Sequence, residues 1–259
     1  MQTTGNTLLV TGGGSGIGRA LAEAFLALGN EVIIAGRRES LLKHVTEANP
    51  GLRYIVLDTS SIADTQRVTK QLIADYPNLN AVIHCAGIMR GESLRSGATE
   101  LEETVATNLL GPIRLDGLLL PHFLKQPHAA IVTVSSGLAF VPLALTPSYC
   151  ATKAAVHSYS QSLRYQLKNT AVKVHELVPP YVQTDLMGER QANDPHAMPL
   201  KDFIDEVMGI LQHSPEADEI LVERVKPLRF AEMNGGYTQF FTNFNDQMAA
   251  ARSGEQAPG

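Results

Sequence analysis

The stretch TGGGSGIGRALA, residues 11–22, begins directly after a short apolar run and continues into an amphipathic segment. Ile17, Ala20, Leu21, Ala24 and Phe25 recur there at the spacing of one buried helix face. A glycine-rich turn between a strand and a helix allows a tight bend and leaves backbone amides free at the helix start, which suits a phosphate group. The stretch therefore predicts a strand–loop–helix unit with a phosphate-binding loop over residues 11–18.

Short apolar runs alternate with amphipathic segments along the rest of the chain. These runs are TLLV, EVIIA, YIVL, AVIH, AAIVTVS and VKVHELV. They are nearly continuous, which is typical of strands buried on both faces of a parallel sheet. The pattern predicts an α/β chain with a doubly wound Rossmann fold. We expect a single domain over residues 1–259, with a mostly parallel sheet of about seven strands and helices on both faces.

The composition of the chain argues against several classes of protein. Hydrophobic residues make up 44% and charged residues 18% of the 259 residues, as in globular proteins with a sizeable core. The net charge of −5 favours neither a nucleic acid nor an anionic membrane as partner, and no apolar run is long enough to span a bilayer. The two cysteines and eight histidines lack metal-ligand spacing, so we expect no metal site and a cytoplasmic location.

The end of the second apolar run, AGRRES, bears on the choice of nucleotide. Gly36 stands where an NAD-binding protein of this fold needs a carboxylate for the ribose, and Arg37 and Arg38 follow it. A guanidinium group holds a phosphate through two hydrogen bonds, which favours NADP(H). Arginines that are simply solvated at a loop tip are the alternative interpretation.

Two motifs together resemble the one-domain short-chain dehydrogenase/reductase family. They are TGxxxGxG at residues 11–18 and YxxxK at Tyr149 and Lys153, and the likeness extends to about residue 185. SSGLAFVPLALTPSYCATKAAVHSYSQSLRYQL and PPYVQTDL are most similar to the DltE-like bacterial oxidoreductases within that family. The resemblance implies a nicotinamide cofactor and reversible hydride transfer between a carbonyl compound and its alcohol.

The resemblance also implies four catalytic residues, three of them within the segment 135–153. Tyr149 is expected to act as acid/base, with its pKa lowered by Lys153 together with the positive nicotinamide of the oxidised cofactor. Lys153 is also expected to bind the nicotinamide ribose. Ser136 is expected to orient the substrate oxygen, and Asn108 to hold a water molecule in a proton relay. Taken alone, the tyrosine–lysine pair has a plainer interpretation as a solvated helix face. Cys150, beside the tyrosine, is expected to be a packed residue.

The expected cofactor site combines the glycine loop, the second strand and the family motifs. It comprises Gly12, Gly14, Ser15, Gly16, Ile17, Gly18, Arg37, Arg38, Asp58, Thr59, Cys85, Ala86, Gly87, Tyr149, Lys153, Pro179, Val182 and Thr184. Asp58 matches the family's adenine-contacting aspartate, with a turn or helix-cap role as the alternative. His84 and Cys85 replace two asparagines of the family, and we expect His84 to be packed at a strand end.

The substrate side is expected to be apolar, because the run GLAFVPLALTP, residues 137–147, separates Ser136 from Tyr149. The same run is also compatible with simple core packing. The expected substrate-binding residues are Ser136, Leu138, Tyr181, Leu186 and Met187. Residues from about 185 to 200 are expected to form a mobile lid, and the tail from about 234 to 259 to be partly disordered.

We expect the partner to be a small carbonyl or alcohol compound, and we expect no nucleic acid or membrane partner. The carboxyl-terminal part departs from the family pattern, which favours a homodimer over a tetramer. Two other functions fit the same fold: a non-catalytic NADP-sensing regulator, and an epimerase or dehydratase that uses bound cofactor transiently. Regulators of this kind usually lose the tyrosine or the lysine, and this chain retains both.

Overall fold

The computed structural model describes residues 1–96 and 101–253. The strands are β1 (Thr7–Thr11), β2 (Glu31–Gly36), β3 (Arg53–Val56), β4 (Leu79–His84), β5 (Ala129–Val134), β6 (Val172–Val178) and β7 (Glu219–Leu221). The helices are α1 (Gly16–Ala27), α2 (Glu39–Ala48), α3 (Ile62–Asp75), α4 (Leu101–Val105), α5 (Gly111–Phe123), α6 (Pro147–Leu167), α7 (Glu189–Asn193), α8 (Leu200–His213), α9 (Lys226–Arg229) and α10 (Tyr237–Ser253).

The seven strands form one sheet in the order β3-β2-β1-β4-β5-β6-β7. Each neighbouring pair is parallel. The order reverses next to β1, because β1 pairs with β2 on one side and with β4 on the other. A ligand crevice is expected at such a reversal, outside the carboxyl ends of the strands.

The continuous apolar strands supply a core to both faces of the sheet. Leu8 and Val10 belong to the core that includes α1 and α8, whereas Leu9 between them belongs to the core that includes α3 and α5. Successive strand residues point to opposite faces, so a strand covered on both sides needs apolar residues at every position. The doubly wound α/β fold predicted from these runs is confirmed. None of the helices in the described ranges is long and apolar enough to cross a membrane.

A π-helical turn, Ala106–Leu110, joins α4 to α5 and carries Asn108. The wider turn bulges from the regular helix, and such turns occur frequently at functional sites. The Asn108 amide oxygen accepts a hydrogen bond from the backbone N–H of Ile88, and its nitrogen donates to the Ile88 carbonyl, both at 2.9 Å. Asn108 thereby fastens the loop after β4 to this helix.

The carboxyl-terminal part differs from the sequence expectation. The tail was expected to be partly disordered from about residue 234, yet α10 occupies Tyr237–Ser253; residues 254–259 lie outside the described residues. Asn245 anchors the helix by accepting from the Ala144 N–H at 2.7 Å and donating to the Pro142 carbonyl at 3.0 Å. The expected lid contains a 3₁₀ turn at Asp185–Met187 followed by α7.

Candidate active site

A crevice of about 1190 Å³ opens where the carboxyl ends of the central strands meet. This volume is large enough for a dinucleotide and a small substrate. It brings together most of the residues expected from the sequence. Those that line it are Gly12, Gly14, Ser15, Gly16, Ile17, Gly18, Arg37, Arg38, Thr59, Cys85, Ala86, Gly87, Ser136, Tyr149, Lys153, Pro179, Val182, Thr184 and Leu186.

The glycine loop lines the crevice, and its close backbone contacts require glycine. Gly12 has φ +69°, and a Cβ placed there would lie 2.8 Å from the Ala86 nitrogen. A Cβ on Gly18 would lie 2.5 Å from the Gly12 carbonyl oxygen. The loop can therefore bend tightly against β4 and present the amino end of α1 to the crevice, where an anionic group is favoured.

Arg37 and Arg38 line the crevice beyond the end of β2, where Gly36 contributes no carboxylate. Arg37 donates through Nη1 to Glu103 of α4 at 3.1 Å, and Arg90 contacts the other oxygen of Glu103 at 2.8 Å. The arginine side chains of this region are about half exposed. The local charge suits an anionic group, with Glu103 as a competing partner for Arg37.

Asp58 stabilises a turn, which is the alternative role given for this residue in the sequence analysis. Its Oδ1 accepts from the backbone N–H of Ser60 at 2.9 Å and from the Ser60 hydroxyl at 2.7 Å. In the described part of the chain, Leu57 and Thr59 line the crevice on either side of it, whereas Asp58 does not. Its contact with adenine stays a prediction.

The residues that follow β4 have small side chains, line the crevice and are hydrogen-bonded to the glycine loop. The backbone N–H of Ala86 donates to the Thr11 hydroxyl at 3.2 Å, which joins this segment to the start of the glycine loop. His84 is buried, and its Nε2 lies 2.7 Å from the buried Asp116 carboxylate of α5. The histidine thus occupies the packed position expected from the sequence.

Tyr149, Lys153 and Ser136 meet at the end of the crevice opposite the arginines. Tyr149 and Lys153 lie one turn apart on α6, with the Lys153 nitrogen 5.5 Å from the centre of the phenol ring. Lys153 donates to the carbonyl of Val134, the last residue of β5, at 2.7 Å. All three residues are buried, so their polar groups interact in a poorly solvated environment.

Burial governs the protonation of this group. It raises the pKa of the Tyr149 phenol, and a hydrogen bond with Ser136 opposes the rise. It lowers the pKa of Lys153 to about 8, opposed by Cys85 and Glu176. Burial thus acts against the lowered tyrosine pKa that the resemblance implies. That expectation also involves the positive nicotinamide of the oxidised cofactor, and it stays a prediction. At neutral pH the tyrosine is therefore a proton donor and the lysine is mostly charged.

Behind Lys153 lies a small cavity of about 10 Å³, which Asn108 also lines. This is about the space that one water molecule requires, and the lining offers it several polar partners. Asn108 itself contacts Ile88 and, at 3.3 Å, the Thr152 hydroxyl. The arrangement is compatible with a water molecule between Asn108 and Lys153, and the relay remains a prediction.

The segment after β6 lines the part of the crevice where the family motif predicts the nicotinamide. Pro179, Val182 and Thr184 line the crevice there. The Thr184 hydroxyl accepts a hydrogen bond from the Gln191 amide of α7 at 3.1 Å, and the same amide donates to the Val182 carbonyl at 2.8 Å. Gln191 therefore fixes this segment, a role that no sequence motif indicated.

The expected substrate residues divide into two groups. Ser136 and Leu186 line the crevice, and Leu138 packs on the apolar cluster beside Tyr149. Among the described residues, Tyr181 and Met187 lie outside the lining: the Tyr181 hydroxyl donates to Asp194 at 3.1 Å, and the Met187 N–H donates to Gln191 at 3.2 Å. Their predicted contact with substrate has no support in this arrangement.

The cluster beside Tyr149 includes residues that the sequence analysis missed. Leu143, Tyr149 and Cys150 form its buried centre, and Phe244 and Met248 of α10 pack against it. Met89, Leu138 and Leu145 complete the cluster. Cys150 is packed, as expected, with its sulfur 3.3 Å from the Leu143 nitrogen. The apolar run before Tyr149 thus packs beside the tyrosine and against α10.

The residues present fit a nicotinamide dinucleotide. Thr107 lines the crevice with a buried hydroxyl that has no hydrogen-bond partner within residues 1–96 and 101–253, as a ligand-binding group would. The glycine loop presents backbone amides to the crevice, and Arg37, Arg38 and Lys153 line it with cationic groups. The crevice therefore offers donors to a long, negatively charged molecule at several points along it.

Comparison with known proteins agrees with this arrangement. The family model described as short chain dehydrogenase matches residues 6–195. The uncharacterized oxidoreductase DltE of Bacillus subtilis (strain 168) is 39% identical over 253 residues, which cover 95% of this chain and 99% of the relative.

Two solved structures are similar over most of the chain. The closed form of a serine dehydrogenase complexed with NADP+ has a TM-score of 0.72 and 26% identity, covering 78% of this chain and 88% of the other. A short chain dehydrogenase/reductase from Burkholderia phymatum in complex with NAD has a TM-score of 0.78 and 20% identity, covering 90% and 95%. The latter likeness concerns the fold alone.

Proposed function

Because the chain belongs to the short-chain dehydrogenase family, we propose that it interconverts a carbonyl compound and its alcohol by hydride transfer with NADP(H). The observation that carries this proposal is the convergence of Ser136, Tyr149 and Lys153 in the crevice that the glycine loop also lines. A regulator needs the crevice alone, whereas a buried proton donor beside a buried lysine has a use in chemistry.

In the direction of reduction, the chain's own residues manage the proton. The Tyr149 hydroxyl donates its proton to the substrate oxygen, which the Ser136 hydroxyl orients by a second hydrogen bond. The Lys153 ammonium stabilises the phenolate that results, and a water molecule in the cavity beside Asn108 returns the proton. When bound, the nicotinamide supplies the hydride.

The test of this function is a screen of ketones and alcohols at the absorbance band of the reduced nicotinamide. Net oxidation of NADPH by at least one apolar ketone is expected. NADPH binding without turnover of any compound would favour a regulator instead, and conversion of a substrate without net cofactor consumption would favour an epimerase or dehydratase.

The preference for NADP(H) rests on Arg37 and Arg38 at the adenosine end of the crevice. Removing a charge-assisted contact to the 2′-phosphate costs about 1.5–3 kcal/mol, or about a 10- to 100-fold increase in Kd. We therefore expect Arg38→Ala to weaken NADPH binding by this factor in fluorescence titrations, with NADH binding unchanged. Arg67→Ala is the control, since Arg67 is exposed and pairs with Asp64 on α3. An equal loss for both cofactors would contradict the phosphate role.

The apolar nature of the substrate rests on the cluster that α10 covers. Phe244 packs on that cluster, and a matched residue, Phe240, lies exposed on the same helix. We expect Phe244→Ala to lower kcat/KM for small ketones about tenfold and to favour bulkier ones, because the wall recedes. Phe240→Ala is expected to leave the ratio unchanged. The measurement is kcat/KM over a graded ketone series, and an identical ratio in both variants would refute the wall.

The homodimer also remains part of the proposal. The helical surface that bears Asn108 and Tyr149 on its inner side exposes apolar residues on its outer side. These include Leu110 at the end of the π-helical turn and Tyr165 on α6. A second copy that packs on these helices would bury them without touching the crevice.

A further inference from the structure

Glu176, in the interior of β6, is a fully buried carboxylate that the mechanism above does not use. The Ser135 hydroxyl donates to its Oε1 at 2.5 Å. The His157 Nδ1 lies 2.8 Å from Oε2 and 3.0 Å from Oε1. An isolated buried carboxylate is costly, and these contacts supply the partners that it needs.

These contacts join the two elements that carry the catalytic residues. Ser135 lies between Val134, whose carbonyl accepts from Lys153, and Ser136. His157 follows Lys153 by one helical turn on α6, so both project from the same side of the helix. Glu176 therefore links the end of β5 to the helix bearing Tyr149 and Lys153.

Further polar and charged side chains lie near Glu176, and in the described part of the chain they do not line the crevice. Glu219 of β7 accepts from Arg229 of α9 at 2.7 and 2.8 Å. The ligand atoms of His157, Glu176 and Glu219 lie within 4.8 Å of one another. Because Arg229 already engages both oxygens of Glu219, and His157 and Ser135 engage Glu176, the cluster is better described as a charge network than as a cation site.

We propose that Glu176 is a positioning residue, which holds Ser136 and Lys153 in register and supplies the buried negative charge on the lysine's side of the site. The proposal rests on the function proposed above. Burial lowers the pKa of Lys153, and first Cys85 and then Glu176 act against that effect. Ser135, the residue after β5, is neutral. The titratable or charged groups around Lys153 and Glu176 are Tyr149 and His157 on α6, Cys85 after β4, Glu219 on β7 and Arg229 on α9.

The test is Glu176→Gln, which retains a hydrogen-bonding side chain of the same shape and removes the charge. Without the carboxylate, Lys153 loses its proton at lower pH. The alkaline limb of kcat/KM for ketone reduction is therefore expected to move down by about one pH unit. The same shift is expected in the pH dependence of NADPH binding followed by fluorescence, a readout that needs no turnover. The control is Glu216→Gln, since Glu216 is exposed and pairs with Lys173.

A second variant, Ser135→Ala, separates the effect of the hydrogen bond between Ser135 and Glu176 from the effect of the Glu176 carboxylate charge. It removes the contact between Glu176 and the end of β5 and leaves the Glu176 and His157 side chains in place, so kcat is expected to fall about tenfold with the alkaline limb at the wild-type pH. Its small side chain also keeps the proposal testable if Glu176→Gln fails to fold. An unshifted pH profile in Glu176→Gln, or an unchanged kcat in Ser135→Ala, overturns the proposal. Failure of the proposed function looks different, because the wild type itself then turns over no ketone, and the binding readout still decides the role of Glu176.

Discussion

Tyr149→Phe is expected to lower kcat for ketone reduction by about 10²- to 10⁴-fold. The substitution removes the phenolic proton donor and retains the ring that packs in the cluster with Leu143 and Cys150. Binding of NADPH, measured by fluorescence, is expected to change little, because the glycine loop and the arginines are untouched. The loss is then confined to the chemical step, which single-turnover absorbance measures directly.

The matched control for this substitution is Tyr165→Phe on the same helix. Tyr165 is 70% exposed, and the Lys168 ammonium lies over its ring. We expect its turnover to equal that of the wild type. If Tyr149→Phe retained full turnover while binding NADPH normally, the role of Tyr149 as proton donor would be wrong.

Gly12→Ala is expected to destabilise the protein strongly and to abolish cofactor binding. Gly12 has a positive φ of 69°, which costs a residue with a Cβ about 1–2 kcal/mol. The added Cβ would also lie 2.8–2.9 Å from backbone atoms of Cys85 and Ala86, which cannot rotate away as a side chain can. We expect the free energy of unfolding, measured by urea denaturation, to fall by about 2–4 kcal/mol.

Gly14→Ala is the matched control in the same loop. Its Cβ would meet only side-chain atoms of Leu41 and Leu42, at 3.5–3.6 Å, which is ordinary contact. Its free energy of unfolding is expected to stay near the wild-type value, although the methyl group would intrude on the crevice and weaken NADPH binding. Equal destabilisation by both substitutions would contradict the assignment of the strain to Gly12.

The fold, and the meeting of the glycine loop and the tyrosine–lysine pair at one crevice, were predictable because they depend on local patterns. The apolar runs specify strands buried on both faces, and the carboxyl ends of parallel strands necessarily meet at one edge of the sheet. A glycine loop after β1 and a tyrosine–lysine pair after β5 must therefore open on the same crevice. Ser136 and Thr184 also line this crevice, because they follow β5 and β6 at the same edge of the sheet.

The remaining features depend on side chains that meet across long stretches of sequence. Glu103 pairs with Arg37 across 66 residues, and Glu176 meets Ser135 across 41. No periodicity marks either contact. The helix α10 is a different case, because Tyr237, Phe241, Phe244 and Met248 do recur at helical spacing. This spacing indicates a helix, but the tail is polar overall, and that polarity favours the prediction of partial disorder.

The order of strands has a consequence for how one chain can meet another. The outermost strands, β3 and β7, are the shortest of the sheet, with four and three residues. Each offers few unpaired backbone groups, and Arg53 and Glu219 place a charge at the start of these strands. Short, charged margins discourage a neighbouring molecule from extending the sheet and so protect against aggregation. A second copy of the chain would accordingly meet the helices rather than a sheet edge.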